Sequence, residues 1–197
     1  MPSEDPTEDP KDVLHTYLRR ARENITWKLD GLSEYDVRRP LVMTGTNLLG
    51  LIKHLTGIEQ GYLGATFGRP SPDELPFDDD DPLADLFATS EETRDDIVGR
   101  YRRAWAHSDA TIEALPLDAT GHVPWWPPER NVVTLQRILV HVIAETSQHG
   151  GHADVVRELI DGKVGLSPKF DNLGNEKMTW QEHWDRVEQT ARRAAGR

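Results

Sequence analysis

The stretch "LVHVIAETSQHGGHADVV", Leu139 to Val156, decides how this chain folds. Extended to both sides, it spaces Leu135, Ile138, Val142, Glu145, His149, His152, Val156 and Leu159 in alternating steps of three and four. That spacing is the seam of a bundle helix, the stripe that faces its neighbours. Its ends are aliphatic and its centre is ionisable. A carboxylate left unpaired in a bundle interior is costly on the scale of a whole domain's stability, so the pattern calls for a compensating charge beside Glu145. Thr134 offers the N-cap of this helix and Gly162 its stop.

Working outward, the stretch from Lys11 to Leu32 sets Val13, Leu14, Tyr17, Leu18, Ala21, Ile25 and Leu29 at helical spacing, with Gly31 as the end signal. Thr46 or Asn47 caps a second helix, "NLLGLIKHLTGIEQGYLGATF". A long loop follows, and its run of four aspartates, residues 78–81, predicts a solvated segment. Thr89 or Ser90, ahead of "EETRDD", predicts the start of a third helix that Pro116 ends. The segment "LDATGHVPWWPPERNV" holds three prolines and is no helix. A tail after Gly162 closes with "TWQEHWDRVEQTARRA", where Trp180 and Trp184 predict the packing face of a short helix. No β-alternation of useful length occurs. The expected fold is all-α, a four-helix bundle with long loops and a short C-terminal helix. Residues 1–10 read as a disordered acidic leader, and residues 11–197 as a single domain that includes the tail.

Composition narrows the function. Among 197 residues, 34 acids outnumber 23 lysines and arginines, giving a formal charge of −11. That balance argues against a phosphate-tracking surface and hence against nucleic acid. No apolar run has the length of a membrane span, and the N-terminus lacks the character of a secretory signal, so the expected setting is the cytoplasm. Cysteine is absent. Any metal is therefore held by His, Asp or Glu, and any thiol nucleophile comes from a cosubstrate.

Glu145 and His149 stand four residues apart, one turn on one helix face, where an oxygen and an imidazole nitrogen can converge on one cation. A third donor must come from a facing helix. His54, between Leu51 and Ile58 and away from a charged back formed by Lys53 and Gln60, is the candidate. Two imidazoles and one carboxylate leave coordination positions open, as catalytic sites do. His141, one turn before Glu145, is a further ligand or an outer-shell partner. His152 is a fourth ligand or a group aimed at substrate. Glu59 is the acid to examine as a general base. Gly150 and Gly151 weaken a helix and are explained by close backbone approach or ligand access.

Two stretches, "LRRARENITWKLDGLSEYDVRRPLVMTGTNLLGLIKHLTGIEQGYLG" and "TLQRILVHVIAETSQHGGHADVVRELIDG", resemble the DinB-like metal-binding four-helix bundles. The likeness is to the actinobacterial branch filed as a domain of unknown function, related to mycothiol-dependent maleylpyruvate isomerase. The commoner family pattern has H-x-x-x-H followed by R-G-Q. Here those places hold Glu145, His149, Gly150, Gly151 and His152, and Glu145 in the first place resembles the His-Glu-His set of the isomerase branch. The resemblance implies a dimer, a divalent metal (zinc first, nickel second) on His54, Glu145 and His149, and a low-molecular-weight thiol, mycothiol, attacking an electrophilic substrate. The function expected is a thiol S-transferase or isomerase. The alternatives are a metal-binding stress-response or binding module without turnover, and a metal-dependent hydrolase.

Overall fold

The computed structural model describes residues 9–78, 80–174 and 177–197. Of the expected leader, residues 1–8 lie outside the described residues. Asp9 caps the first helix, α1 (Pro10–Trp27), by accepting from the Lys11 N–H, and proline opens the helix where no N–H is needed. The helix stops at Trp27, short of Leu32, because the N–H groups of residues 28–30 reach back only three residues and Gly31 takes φ +73°. A short α2 (Glu34–Arg38) follows.

Asn47 caps α3 (Leu48–Glu59), accepting from the Gly50 N–H at 2.7 Å. The single helix expected through residue 67 loosens at Gln60 into a π turn (Gln60–Gly64) and then a 3-10 turn (Ala65–Phe67). Glycines at 57, 61 and 64 leave this stretch poor in helix-forming side chains. The third long helix, α4 (Arg94–Ala114), begins at Thr93 rather than at Thr89 or Ser90. Glu92 is the reason: it accepts the Thr89 N–H at 3.0 Å and pairs with Lys53 of α3 at 2.8 Å, which holds the preceding residues out of the helix.

The proline-rich connector carries two short antiparallel strands, absent from the sequence reading, β1 (Thr120–His122) and β2 (Val132–Thr134), with Gly121 opposite Val133. Thr134 then caps α5 (Leu135–Asp161), and Gly162 at φ +78° ends it. The last helix, α6 (Trp180–Ala194), starts with a capping box between Thr179 and Glu182.

α1 packs along α5 and α3 along α4, while α3 also meets α5. The apolar interior splits into two clusters, one around Ile25, Leu48, Ile52, Leu55, Tyr101 and Val156, the other around Leu18, Leu63, Ile112, Val133, Ile138 and Val142. Between them lies a belt of polar residues, one or more from each long helix. Arg22 falls between Leu18 and Ile25 on α1, Glu59 between Leu55 and Leu63 on α3, Ser108 between Tyr101 and Ile112 on α4, and Thr146 between Val142 and Ala153 on α5; all four are buried.

Two expectations about helix faces need correction. The buried line of α5 runs through Val142, Thr146, Gly150, Ala153 and Arg157, so Glu145 and His149 border it half-buried, His152 is exposed, and Leu159 is 59% exposed. Small residues carry the close contact with α1: a Cβ on Gly150 would stand 3.1 Å from the Asn24 amide nitrogen, whereas one on Gly151 would meet open space. In the tail, α6 buries nothing, and its Trp180 and Trp184 are 52% and 61% exposed. Amphipathic spacing reports a face able to pack, not one that has a partner within the chain.

Candidate metal centre

His54 on α3 and Glu145 and His149 on α5 come together. The His149 Nε2 atom lies 3.1 Å from Glu145 Oε1, and the His54 Nε2 atom lies 3.6 Å from the same oxygen. The two imidazole rings meet edge to face with centroids 4.9 Å apart. One donor atom from each of the three residues lies within 4.8 Å of the others. Donor atoms that share a cation at about 2.1 Å stand about 3–3.5 Å apart, so the three side chains are already close to a common coordination sphere. The donor set of two imidazoles and a carboxylate suits a borderline divalent ion.

The burial of this group differs from the seam reading. Glu145 keeps 27% of its side chain exposed, against 17% for His54 and 15% for His149. The acid is thus partly solvated and not intolerable by burial alone. What marks the group is the convergence of its donor atoms. The Nδ1 atom of His54 lies 2.5 Å from Asp85 Oδ2, and Asp85 is only 5% exposed. That carboxylate accepts from Nδ1 and turns Nε2 toward Glu145 Oε1, 3.6 Å away. A cation bound there would take the place of any proton on Nε2. Burial first, and then the neighbouring His54, hold the His149 imidazole below the usual histidine range against the opposing pull of Glu145. A neutral imidazole has a lone pair to offer a metal.

Asp85 was hidden in the sequence. The aspartate run read as solvated is exposed at residues 78, 80 and 81, with residue 79 outside the described residues, but just beyond it the loop lays a 3-10 turn (Ala84–Leu86) across α3. Gly50 makes room for it: a Cβ there would stand 1.9 Å from the Leu86 carbonyl oxygen. The Asn47 side chain, having capped α3 with its oxygen, donates from its amide nitrogen to the same Leu86 oxygen at 3.0 Å. Gly57 likewise admits Phe77, whose ring a Cβ would meet at 2.4 Å. Glycines on the outer face of α3 were the sequence signal of a close crossing, and only the fold says what crosses. Lys53 and Gln60, read as a charged back, are covered by these loops and are 8% and 1% exposed.

The other singled-out residues fall elsewhere. His152 sits beyond His149, with the two Nδ1 atoms 3.3 Å apart. His141 packs edge to face on Tyr62 at 4.5 Å, and Trp126 adds a second ring at 5.3 Å. Burial lowers the His141 pKa against the attraction of Glu145. Glu59 is fully buried and lies apart from the His54 group. Its two oxygens take Arg22 Nε and Nη2 at 2.7 and 2.8 Å, while Arg22 Nη1 binds Asp109 at 2.6 Å. Trp125 and Trp126 both donate their indole N–H groups to the Tyr62 hydroxyl, at 3.1 and 3.0 Å.

Among the described residues, no helix is long and apolar enough to cross a membrane. The Mycothiol-S-transferase family model matches residues 13–162, which span α1 through α5 and include all three converging side chains. A crystal structure of a conserved protein from Enterococcus faecalis shares the fold: it superposes with a TM-score of 0.59 at 19% identity, over 79% of this chain and 99% of that one. No curated protein matches the chain.

Proposed function

The chain belongs to the Mycothiol-S-transferase family, and from that premise we propose that it joins a low-molecular-weight thiol, mycothiol, to an electrophilic substrate at a divalent metal held by His54, Glu145 and His149. The observation that carries the reading is the approach of His54 Nε2 to Glu145 Oε1 at 3.6 Å, with His149 closing the group. When bound there, zinc or nickel supplies the positive charge that lowers the pKa of a thiol reaching an open position.

The chain's own residues do the rest. Glu145 balances one of the two cationic charges, which leaves the site net positive toward an incoming sulfur. Asp85 holds the His54 ring in one tautomer and one orientation, so that its Nε2 does not rotate away. The partly exposed edge of the group lets a thiol enter and lets its S–H proton pass to solvent. Sulfur then forms a bond to the electrophilic carbon, and the displaced group leaves with its electron pair; where the thiol instead adds to a conjugated double bond, the bond's electron pair moves to the conjugated oxygen, the new single bond rotates, and the electron pair returns to expel the thiolate and release the isomer. Because the chain has no cysteine, the nucleophilic sulfur belongs to the cosubstrate. Glu59, the base examined for the hydrolase alternative, is committed to Arg22.

Isothermal titration of zinc-loaded protein with mycothiol tests the reading directly. Binding heat in the wild type and none in His149→Ala is the expected pair of results, and identical behaviour of the two proteins removes the mechanism.

A further inference from the structure

α3 and the π turn that continues it touch α5 through rings at two places. His54 meets His149 at 4.9 Å, and Tyr62 meets His141 at 4.5 Å. Each step is eight residues, upward on one helix and downward on the other, so the helices run antiparallel and both pairs line one groove. At about 1.5 Å per residue the two pairs stand about 12 Å apart. Half-buried Ile58 lies between them on α3 and packs against both apolar clusters.

The far end of this groove is built from rings and cations. Trp126 carries two guanidinium groups, Arg137 at 5.1 Å and Arg130 at 5.8 Å from its ring. Neither arginine has a carboxylate partner among the described residues. Arg137 also lies in the first turn of α5, where the helix end is itself positive and no acidic residue offsets it. Tyr62, 8% exposed, accepts both indole N–H groups, and its own hydroxyl proton has no acceptor among the described residues. Two unpaired guanidiniums, a spare hydroxyl proton and a set of crossed rings surround one spot.

We infer that this end of the groove, formed by Tyr62, Trp126, Arg130, Arg137 and His141, is a binding site for a planar ligand that bears a carboxylate or similar oxyanion. The rings take the plane by edge and face contact, and the arginines take the anion in charge-assisted hydrogen bonds. The strongly negative protein would otherwise repel such a ligand. As a binding site it stands alone; its assignment to the electrophilic acceptor rests on the thiol-transfer reading, with sulfur delivered at the His54 end.

The test is a ligand-observed NMR titration of metal-stripped protein with 2-naphthoate and with its neutral analogue 2-naphthamide. The carboxylate is expected to bind at least about 10-fold tighter. A double variant, Arg130→Gln with Arg137→Gln, should bring the two affinities together; both side chains are exposed, so circular dichroism should show an intact fold. His149→Ala should retain the preference. Equal affinities in the wild type, a preference that survives the double substitution, or one that needs His149 and zinc would each overturn the site. With turnover established, 2-naphthoate should compete with the electrophile and not with mycothiol. Competition with mycothiol would overturn the acceptor assignment, and absence of any turnover would sink the thiol reading while leaving the titration decisive for the site.

Discussion

Carboxylates meet nitrogen groups at two places in the polar belt of this bundle, and the two are built to opposite ends. On one side, Arg22 and Glu59 are sealed from solvent at 1% and 0% exposure, with Asp109 and His15 extending the network. Every guanidinium nitrogen of Arg22 has an acceptor. On the other side, His54, Glu145 and His149 remain 15–27% exposed and bring their donor atoms toward one another. The first arrangement is saturated from within and has nothing left to bind. The second is organised by Asp85 and left open to solvent at one edge. The difference separates a polar group that holds a fold together from one that waits for a ligand.

The sharpest way to break the comparison is to remove one acid from each side. Glu59→Ala leaves the buried Arg22 cation with Asp109 alone and two guanidinium nitrogens without acceptors, and should cost about 3 kcal/mol of stability in urea unfolding. Glu145→Gln, in metal-free protein, should change stability by less than about 1 kcal/mol, since the acid stands at a partly solvated edge. Equal losses would erase the distinction. The next effect is on ligand response. Zinc at about 100 times its dissociation constant should stabilise the wild type by about 2.7 kcal/mol, seen as a rise in melting temperature, and should leave Glu145→Gln and His149→Ala unmoved.

Asp85→Asn sharpens the comparison by acting through His54 alone. The amide no longer enforces the Nδ1 proton as a carboxylate does, and zinc affinity should fall about 10- to 100-fold with little change in the metal-free fold. Gly50→Ala should imitate it, because the Leu86 carbonyl must withdraw and take Asp85 with it. The smallest effect is on acid stability. Burial pushes the Asp109 carboxyl up, but the charge and hydrogen bond of Arg22, aided by His15, outweigh it and hold its pKa below the ordinary carboxylate value. A lowered carboxyl pKa adds stability that is complete above about pH 4, the unfolded value, and is lost as the pH falls through the folded one. The gap in urea midpoint between wild type and Asp109→Asn should therefore stay constant down to about pH 4.5 and narrow below about pH 4.

The bounds of α5 were legible because Thr134 and Gly162 act locally on the backbone, and Asn47 marks α3 in the same way. The approach of Glu145 and His149 was legible because a four-residue step on a helix fixes two side chains on one face. The register of the α5 seam was not. Thr146, Gly150 and Ala153 line the contact with α1 by being small, which a hydrophobicity pattern does not weigh. Asp85 escaped because its contact with His54 crosses 31 residues and depends on glycines that let a loop settle on α3. The pairing of Arg22 with Glu59 was not legible either, since nothing in either neighbourhood names the other. α6 looked packed because amphipathicity carries no record of the partner.

The most direct measurement is equilibrium dialysis of chelator-stripped protein against zinc, with bound metal counted by elemental analysis in the wild type and in Glu145→Gln and His149→Ala. One tightly held ion per chain in the wild type, and at least a 100-fold weaker one in each variant, is the predicted result. Zinc bound equally by all three proteins, or by none, would contradict a metal centre at these residues.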